Sequence, residues 1–281
     1  MTNEGRCLCG SVTWELTGEP FSAYNCHCSM CQKTHGAAFG TYYRVKPDQF
    51  RWSSSTQTIV HYNSSHLTRS SCKTCGSVVP FESKNHAGWA IPAGGHDHGR
   101  KADCNIFVAD HAPWHQVSNN IPCYDAYPPD SQYPVTDSRP LAKKPDGVVR
   151  GSCLCTAITF QVSGPFKIAH NCHCSRCRYA RSAAHASNGF TSFDAVRFIT
   201  GEKHLKTYKV PGARFFTQTF CEICSSLMPR LDSERGIAVI PLGSLDDDPG
   251  IRPADHLNIG NKAGWHEITD DLPTFTGMPP V

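Results

Sequence analysis

The sequence Cys-His-Cys-Ser-Met-Cys at residues 26–31 occurs again as Cys-His-Cys-Ser-Arg-Cys at residues 172–177. Three cysteines within six residues are typical of metal binding, because adjacent thiols chelate one ion more readily than they cross-link distant segments. Fourteen of the sixteen cysteines in this chain of 281 residues lie in such short clusters. Because disulfide frameworks belong to secreted proteins, the clusters predict a reduced, metal-binding protein of the cytoplasm.

The cysteine clusters also divide the chain into two copies of one unit. Residues 7–31 recur in the second copy at a constant spacing of 146 residues. The later CxxC cluster recurs at a spacing of 149 residues, and the Trp-His pair at 114–115 recurs at 151. An ordered series of this kind indicates tandem duplication. We predict a first domain over 1–130, a Pro-rich linker over 131–147 and a second domain over 148–281.

Alternating and β-branched segments predict strands in each copy. They include residues 11–16, 58–63, 157–162 and 196–201. Short helices with serine caps are predicted from Ser29 to about Thr34 and from Ser175 to about Arg181. Because the chain also contains 20 prolines and 22 glycines, we expect a mainly β fold of two tandem, small, zinc-pinned domains.

Each copy offers four cysteines that can close a tetrahedral zinc site. The predicted ligands are Cys7, Cys9, Cys72 and Cys75 in the first copy, and Cys153, Cys155, Cys221 and Cys224 in the second. Four thiolates complete the coordination of zinc, so we interpret these sites as structural, with folding energy on the order of 10 kcal/mol. Gly76 fits a tight turn after the CxxC, whereas Ser225 at the matching position predicts a looser turn.

The remaining clusters have three cysteines each: Cys26, Cys28 and Cys31, and Cys172, Cys174 and Cys177. Three thiolates leave one zinc position for water, a substrate oxygen or a thiolate, which is the arrangement of catalytic sites. In extended backbone His27 and His173 would point away from the metal, which favours an open site. The alternative is a second closed site, completed by these histidines or by a residue elsewhere. We expect up to two zinc ions per domain and four per chain.

A thiol bound at the open position would become a nucleophile beside a carbonyl compound, and this chemistry needs a base. The candidates are His27, His35, His115, His173, His185 and His266. Since fifteen histidines are spread through the chain, each one alone is more often a surface or packing residue. Our catalytic assignment comprises the six cysteines of the two open sites together with His27 and His173.

Four other residues are interpreted as structural. Cys104 and Cys123 fall outside the clusters and are expected to be small buried or idle thiols. Trp114 and Trp265, near the last strand of each copy, are expected in the core more than in a pocket wall.

The segments RCLCGSVTWEL, NCHCSMCQKTHGAAF, SCKTCGS and NIFVADHAPWHQV resemble the family of glutathione-dependent formaldehyde-activating enzymes, which includes centromere protein V. The resemblance spans nearly the whole chain, twice. It implies a small tent-like β fold, a structural and a catalytic zinc on the cysteine sets above, and addition of glutathione to formaldehyde to form S-hydroxymethylglutathione. The second copy lacks counterparts of Lys33, Gly36 and Phe39, so glutathione binding does not transfer simply to it. Either one pocket does the chemistry and the other supports it, or each takes a different ligand.

The leading hypothesis is a zinc-dependent carbon–sulfur lyase-type enzyme acting on a small carbonyl compound or its glutathione or thiol adduct. The alternatives are a zinc lyase, hydrolase or isomerase acting on a specialised metabolite without glutathione, and a non-enzymatic zinc scaffold for binding partners. The formal charge of +3 falls to about −3 when fourteen thiolates bind four zinc ions, which argues against a nucleic-acid partner. No apolar run approaches the roughly 18 residues of a membrane span. The sequence leaves the oligomeric state open.

Overall fold

The computed structural model describes residues 2–64, 67–83, 88–129, 131, 142–143 and 146–279. The described part is mainly β, which confirms the predicted fold class. The first half contains β1 Thr2–Arg6, β2 Thr13–Thr17, β3 Ser22–Cys26, α1 Ser29–His35, β4 Gly40–Val45, β5 Phe50–Trp52, β6 Ile59–Asn63, β7 Thr68–Cys72, β8 Val78–Val79, β9 Phe81–Glu82, β10 Trp89–Pro92, β11 Cys104–Ile106 and β12 Cys123–Tyr124. The second half contains β13 Val149–Ser152, β14 Thr159–Val162, β15 Ile168–Cys172, α2 Ser175–Arg181, β16 Ala186–Ser192, β17 Val196–Thr200, β18 Leu205–Lys209, β19 Thr217–Cys221, β20 Arg230–Asp232, β21 Ile237–Pro241 and β22 His256–Leu257.

The three-cysteine clusters begin on an inner strand of the largest described sheet of each half. That sheet has the strand order β12-β11-β3-β4-β10-β9 in the first half and β20-β21-β16-β15-β22 in the second. Cys26 ends β3, which pairs antiparallel with β4 and parallel with β11. Cys172 ends β15, which pairs antiparallel with β16 and parallel with β22. The smaller described sheets are β1-β2-β5, β6-β7-β8, β13-β14-β17 and β18-β19.

The predicted strands and helices are present, with small shifts at their ends. The four alternating segments correspond to β2, β6, β14 and β17. The predicted serine caps are wrong, because Cys28 and Cys174 are the N-cap residues. Their Sγ atoms accept hydrogen bonds from the backbone N–H groups of Cys31 and Cys177, both at 3.4 Å. One cysteine therefore serves both the helix start and the sulfur cluster.

The larger of the two hydrophobic clusters in the described residues contains side chains from both halves. Trp14 and Tyr43 of the first half lie in the same buried cluster as Phe160 and Trp265 of the second. Trp114 belongs to it as well, so both tryptophans expected in the core are buried there. Since apolar burial is the main favourable term in folding, the stability of each half depends on the other.

Each short helix docks on a glycine-containing turn of the opposite half. Helix α1 contacts the 3₁₀ turn Leu242–Ser244, and α2 contacts the 3₁₀ turn Ala93–Gly95. A Cβ atom at Gly94 would lie 2.1 Å from a backbone nitrogen just after α2, and one at Gly243 would lie 2.4 Å from a backbone oxygen of α1. Both turns therefore need glycine for this close approach.

Charged side chains reinforce the same reciprocal contact. Lys33 of α1 donates from Nζ to Asp246 Oδ1 at 2.6 Å. Arg178 of α2 donates to the His96 carbonyl oxygen at 2.6 Å and pairs with Asp97. Lys33, which has no counterpart in the second copy, thus contacts the other half of the chain.

The predicted linker lies largely outside the described residues, which omit 132–141 and 144–145. The proposed boundaries at 130 and 148 stay a prediction. Ala142, inside the predicted linker, donates its N–H to the Asp246 carbonyl oxygen at 3.0 Å. No helix in the described part of the chain is long and apolar enough to cross a membrane.

We predict that Gly94→Ala destabilises the chain, because the added methyl group must displace the backbone beside Ala183. Overpacking against an immobile neighbour costs about 2 kcal/mol or more. Urea unfolding monitored by circular dichroism measures the free energy of unfolding. The matched control is Gly264→Ala, where a Cβ atom meets nothing within 4 Å. Equal unfolding free energies for the two variants would contradict the proposed tight contact.

Candidate metal centres and active site

Four cysteine sulfurs converge in each half. Within each set, every Sγ atom lies within 4.8 Å of the others. The sets are Cys7, Cys9, Cys72 and Cys75, and Cys153, Cys155, Cys221 and Cys224. Neighbouring sulfurs are 3.5 and 3.6 Å apart in the first set and 3.4 and 3.8 Å apart in the second. A tetrahedral zinc with Zn–S bonds of about 2.3 Å separates its sulfurs by about 3.8 Å, so both sets fit a four-coordinate metal ion.

The turn after the CxxC is tight in both halves. Gly76 has φ 72° and Ser225 has φ 57°, so both adopt the left-handed conformation. Their N–H groups donate to the carbonyl oxygens of Cys72 and Cys221 at 2.8 and 2.9 Å. The looser turn predicted for Ser225 is therefore wrong. The second half keeps the turn, although a non-glycine residue in this conformation costs about 1 kcal/mol or more.

Three cysteine sulfurs converge at the start of each helix. These triads are Cys26, Cys28 and Cys31 in the first half, and Cys172, Cys174 and Cys177 in the second. No ligand atom of a fourth His, Cys, Asp or Glu among the described residues joins either triad within 4.8 Å. The first cysteine ends a strand, the second caps the helix and the third lies in its first turn, which brings the sulfurs together. A metal ion held there would have three protein ligands.

The histidine inside each Cys-His-Cys segment lies on the side opposite the sulfurs, since successive side chains alternate along extended backbone. The His27 ring stacks on His115 at a centroid distance of 5.7 Å and packs on Phe39 at 5.2 Å. The His173 ring stacks on His266 at 5.6 Å. Neither histidine belongs to a metal cluster. Their assigned catalytic role stays a prediction, and the structure gives each of them ring-packing contacts within its own half.

These rings belong to a larger histidine cluster, defined as His27, His115, His173, His185, His256 and His266. It joins the two halves, because the rings of His115 and His185 lie 6.4 Å apart. Burial lowers the pKa of His27 to about 4 and that of His115 to about 3. Burial also lowers the pKa of His173 to about 2. These three imidazoles are therefore uncharged at neutral pH, which makes their close packing possible.

The polar partners of the central histidines differ between the halves. His173 Nε2 lies 2.7 Å from His256 Nδ1, and His256 Nε2 lies 3.0 Å from Asp270 Oδ1. In the first half, Asn105 occupies the position of His256, and His27 Nε2 lies 3.3 Å from its Oδ1. The second half therefore extends the hydrogen-bonded chain from its central histidine to a carboxylate.

Beside the first triad, His35 and Tyr42 form a hydrogen-bonded pair. His35 Nδ1 donates to the Arg181 carbonyl oxygen at 2.6 Å, and Nε2 lies 2.6 Å from the Tyr42 hydroxyl. Burial lowers the pKa of His35, so Nε2 of the neutral ring accepts the Tyr42 proton. Tyr42 packs in the same cluster as the triad. In the second half Arg181 and Asn188 take these positions and are hydrogen-bonded at 2.8 Å.

The two triads have different surroundings. The cysteines of the first triad are at most 6% exposed and pack with aromatic side chains that include Phe81 and Phe107. In the second triad, Cys172 and Cys174 are half-buried. Asn258 occupies the position of Phe107 and donates to Cys172 Sγ at 3.5 Å. The first site is thus enclosed and aromatic, and the second is more open and polar.

Sequence reasoning missed two residues near the first triad. Tyr42 carries no motif, although the alternation of β4 places it and Tyr43 on opposite faces. Arg69, on β7, lies with Nη2 4.0 Å from Cys31 Sγ, and no sequence pattern indicated it. Cys104 and Cys123 lie outside the metal clusters. The first is half-buried, and the second is exposed.

The sequence model of the glutathione-dependent formaldehyde-activating enzyme family matches residues 2–110 and 148–261. The chain belongs to this family. The resemblance found in the sequence is confirmed, and the two matched segments are consistent with two tandem family units. Family membership implies glutathione-related formaldehyde-activating or thiol-adduct chemistry.

Two further comparisons add little beyond the family. No curated protein sequence matches the chain at a significant level. A crystal structure of a Rhodobacter sphaeroides protein is similar at 22% sequence identity, over 45% of this chain and 99% of that chain, with a TM-score of 0.31.

The four-sulfur sets and the triads predict different mutational effects. Cys72→Ser removes a ligand from a complete set, so we expect loss of one metal ion and a fall of several kcal/mol in unfolding free energy. Cys28→Ser should cost little stability, because serine is itself a good N-cap residue, and it should leave the four-sulfur set intact. Metal analysis and thermal unfolding measure both effects.

The matched control for these variants is Cys123→Ser, because Cys123 is exposed and outside every cluster. It should retain full metal content and stability. If Cys72→Ser and Cys28→Ser lose the same stability, the division into structural sets and triads fails.

Proposed function

We propose that this family member is a zinc-dependent carbon–sulfur lyase-type enzyme. Its substrate would be a small carbonyl compound or the adduct of that compound with glutathione or another thiol. The main support is the three-sulfur triad in each half, which no fourth His, Cys, Asp or Glu of the described residues completes. Each half also contains a complete four-sulfur set. That set can serve as the structural metal site, which leaves the triad available to bind a substrate.

We propose zinc as the metal of all four clusters, four ions per chain and two per family unit. Ligand sets made only of thiolates at tetrahedral spacing suit zinc. Bound in a triad, zinc would keep one position for a substrate thiol or carbonyl oxygen and lower the pKa of a thiol there. We assign these units to the proposed domains 1–130 and 148–281.

In the first half, Tyr42 and His35 are the proposed proton-handling pair. Addition forms a bond between the thiol sulfur and the carbonyl carbon, and the carbonyl oxygen becomes a hydroxyl group. The sulfur loses a proton and the oxygen gains one. Tyr42 can accept the first proton while its own proton passes to His35 Nε2, 2.6 Å away, and can return it to the oxygen.

The second half lacks this pair, since Arg181 and Asn188 occupy its positions. Neither a guanidinium nor an amide changes its protonation state near neutral pH, so neither can act as a general acid or base. We therefore propose that the first half carries out the chemistry. The second half would support the shared core or bind a different ligand.

We place the enzyme in the cytoplasm, because metal-binding thiolates persist where cysteines are kept reduced. All sixteen cysteines are free in the structure. The proposed partners are small molecules, with glutathione as the leading thiol.

X-ray absorption at the zinc edge, before and after adding glutathione, tests the proposal. Two closed sets and two triads predict about 3.5 sulfur ligands per zinc in the free protein. Glutathione binding at one triad raises the average to about 3.75, and binding at both raises it to about 4. An average of four sulfurs before glutathione is added would indicate closed sites and favour the scaffold alternative. Formation of S-hydroxymethylglutathione, observed by nuclear magnetic resonance, measures turnover in the same samples.

Tyr42→Phe should lower turnover about a hundredfold, because general acid–base catalysis contributes roughly this factor or more. His35→Gln should have a similar effect, and zinc content should stay unchanged in both variants. The matched control is Tyr43→Phe, since the Tyr43 hydroxyl is buried with no hydrogen-bond partner among the described residues and Tyr43 packs in a different hydrophobic cluster from the triad. Unchanged turnover in Tyr42→Phe would assign proton transfer to another group.

A further inference from the structure

Arg69 is a buried cation beside the first triad. It lies on β7, is 3% exposed, and its Nη2 is 4.0 Å from Cys31 Sγ. Its Nε and Nη1 atoms donate to no acceptor among the described residues. A guanidinium has five N–H donors and leaves water at a high cost unless acceptors replace the lost hydration.

The triad accounts for the charge of Arg69 but not for its hydrogen bonds. Three thiolates on a divalent metal carry one net negative charge, which balances one guanidinium. The contact with Cys31 uses only Nη2. The Tyr42 hydroxyl donates its hydrogen bond to His35 Nε2. The N–H groups of Nε and Nη1 therefore have no partner among the described residues, and an oxygen ligand would satisfy them.

In the second half, the residue that corresponds to Arg69 has hydrogen-bond acceptors for its side chain. Gln218 occupies the position of Arg69, and its Nε2 donates to the carbonyl oxygens of Cys75 and Ala180 at 2.7 and 3.1 Å. Two arginines near the second triad also have acceptors. Arg181 donates to the side chain of Asn188, and Arg230 donates to a backbone carbonyl oxygen. Arg178, next to Cys177 of the second triad, lacks a partner only at Nε, so among the described residues a buried arginine with two unpartnered nitrogens lies beside the first triad.

We propose that the first triad takes substrates that carry a carboxylate a few atoms from the reacting sulfur or carbonyl carbon, and that Arg69 binds this carboxylate. The inference rests on the proposed function and narrows its substrate class to thiols or carbonyl compounds that carry such a carboxylate. A carboxylate oxygen accepts charge-assisted hydrogen bonds from Nε or Nη1. The aromatic enclosure around the triad strengthens this pairing, because it excludes water.

Two simple thiols serve as probes. Mercaptoacetate carries a thiol and a carboxylate, and 2-mercaptoethanol has a hydroxyl in place of the carboxylate. Their affinities are measured by isothermal titration calorimetry on the zinc-loaded full chain carrying Cys174→Ser, which leaves the first triad as the intact three-sulfur site. We expect mercaptoacetate to bind about ten- to a hundredfold more tightly.

Arg69→Gln introduces the residue that the chain itself has at position 218. In this variant the preference for mercaptoacetate should disappear, while Arg69→Lys should retain part of it through the remaining charge. Arg230→Gln is the matched control, because it removes an arginine beside the second triad, and it should leave the preference unchanged. Zinc content is measured for every variant.

Equal affinities of the two thiols with Arg69 intact would overturn the inference and leave the proposed function standing. The inference would also be overturned if Arg69→Gln lost part of its zinc while the remaining zinc-loaded protein still preferred mercaptoacetate. That result would make Arg69 a counter-charge to the thiolates only. If neither thiol reaches the metal in any variant, both the inference and the proposed function fail.

Discussion

Alternation of side chains along the extended Cys-His-Cys segment determines where chemistry and packing occur in this protein. The sulfurs of Cys26 and Cys28 face one side, where Cys31 of the following helix joins them. The ring of His27 faces the other side and packs in the histidine cluster between the halves. Because one strand end carries both groups, the position of each metal triad is fixed by the same backbone that forms the interface. A shift of register by one residue would exchange the two sides and abolish both.

The interface makes the duplicated unit more than two independent domains in series. Each short helix contacts a glycine turn of the other half, and the hydrophobic core includes both. The four-sulfur sets are tied in as well, since Gln218 of the second half donates to the Cys75 carbonyl oxygen. A metal ion bound in one half would therefore stabilise contacts made by the other.

Much of this architecture could be predicted from the sequence, because cysteine spacing and strand alternation are local signals. The structure brings together the same eight cysteines in the four-sulfur sets, and the same six in the triads, that the cluster pattern had grouped. The contact of Lys33 with Asp246 could not be predicted, because it depends on how the halves pack. Arg69 was missed for the same reason, as its strand approaches the triad only in the folded chain. The loose turn expected at Ser225 failed because the sulfur set constrains a backbone that serine alone would avoid.

Two positions that differ between the halves hold side chains that contact each other in both halves. His35 and Tyr42 become Arg181 and Asn188, and each pair is hydrogen-bonded. The Tyr42 hydroxyl donates to a neutral imidazole, whereas the Asn188 amide oxygen accepts from a guanidinium, so each residue matches the acceptor or donor that its partner offers. The first pair can move a proton, whereas the second can only hold one in place. Converting the second pair into the first would require both substitutions, so the two triads differ in the groups beside them even though their sulfurs are arranged alike.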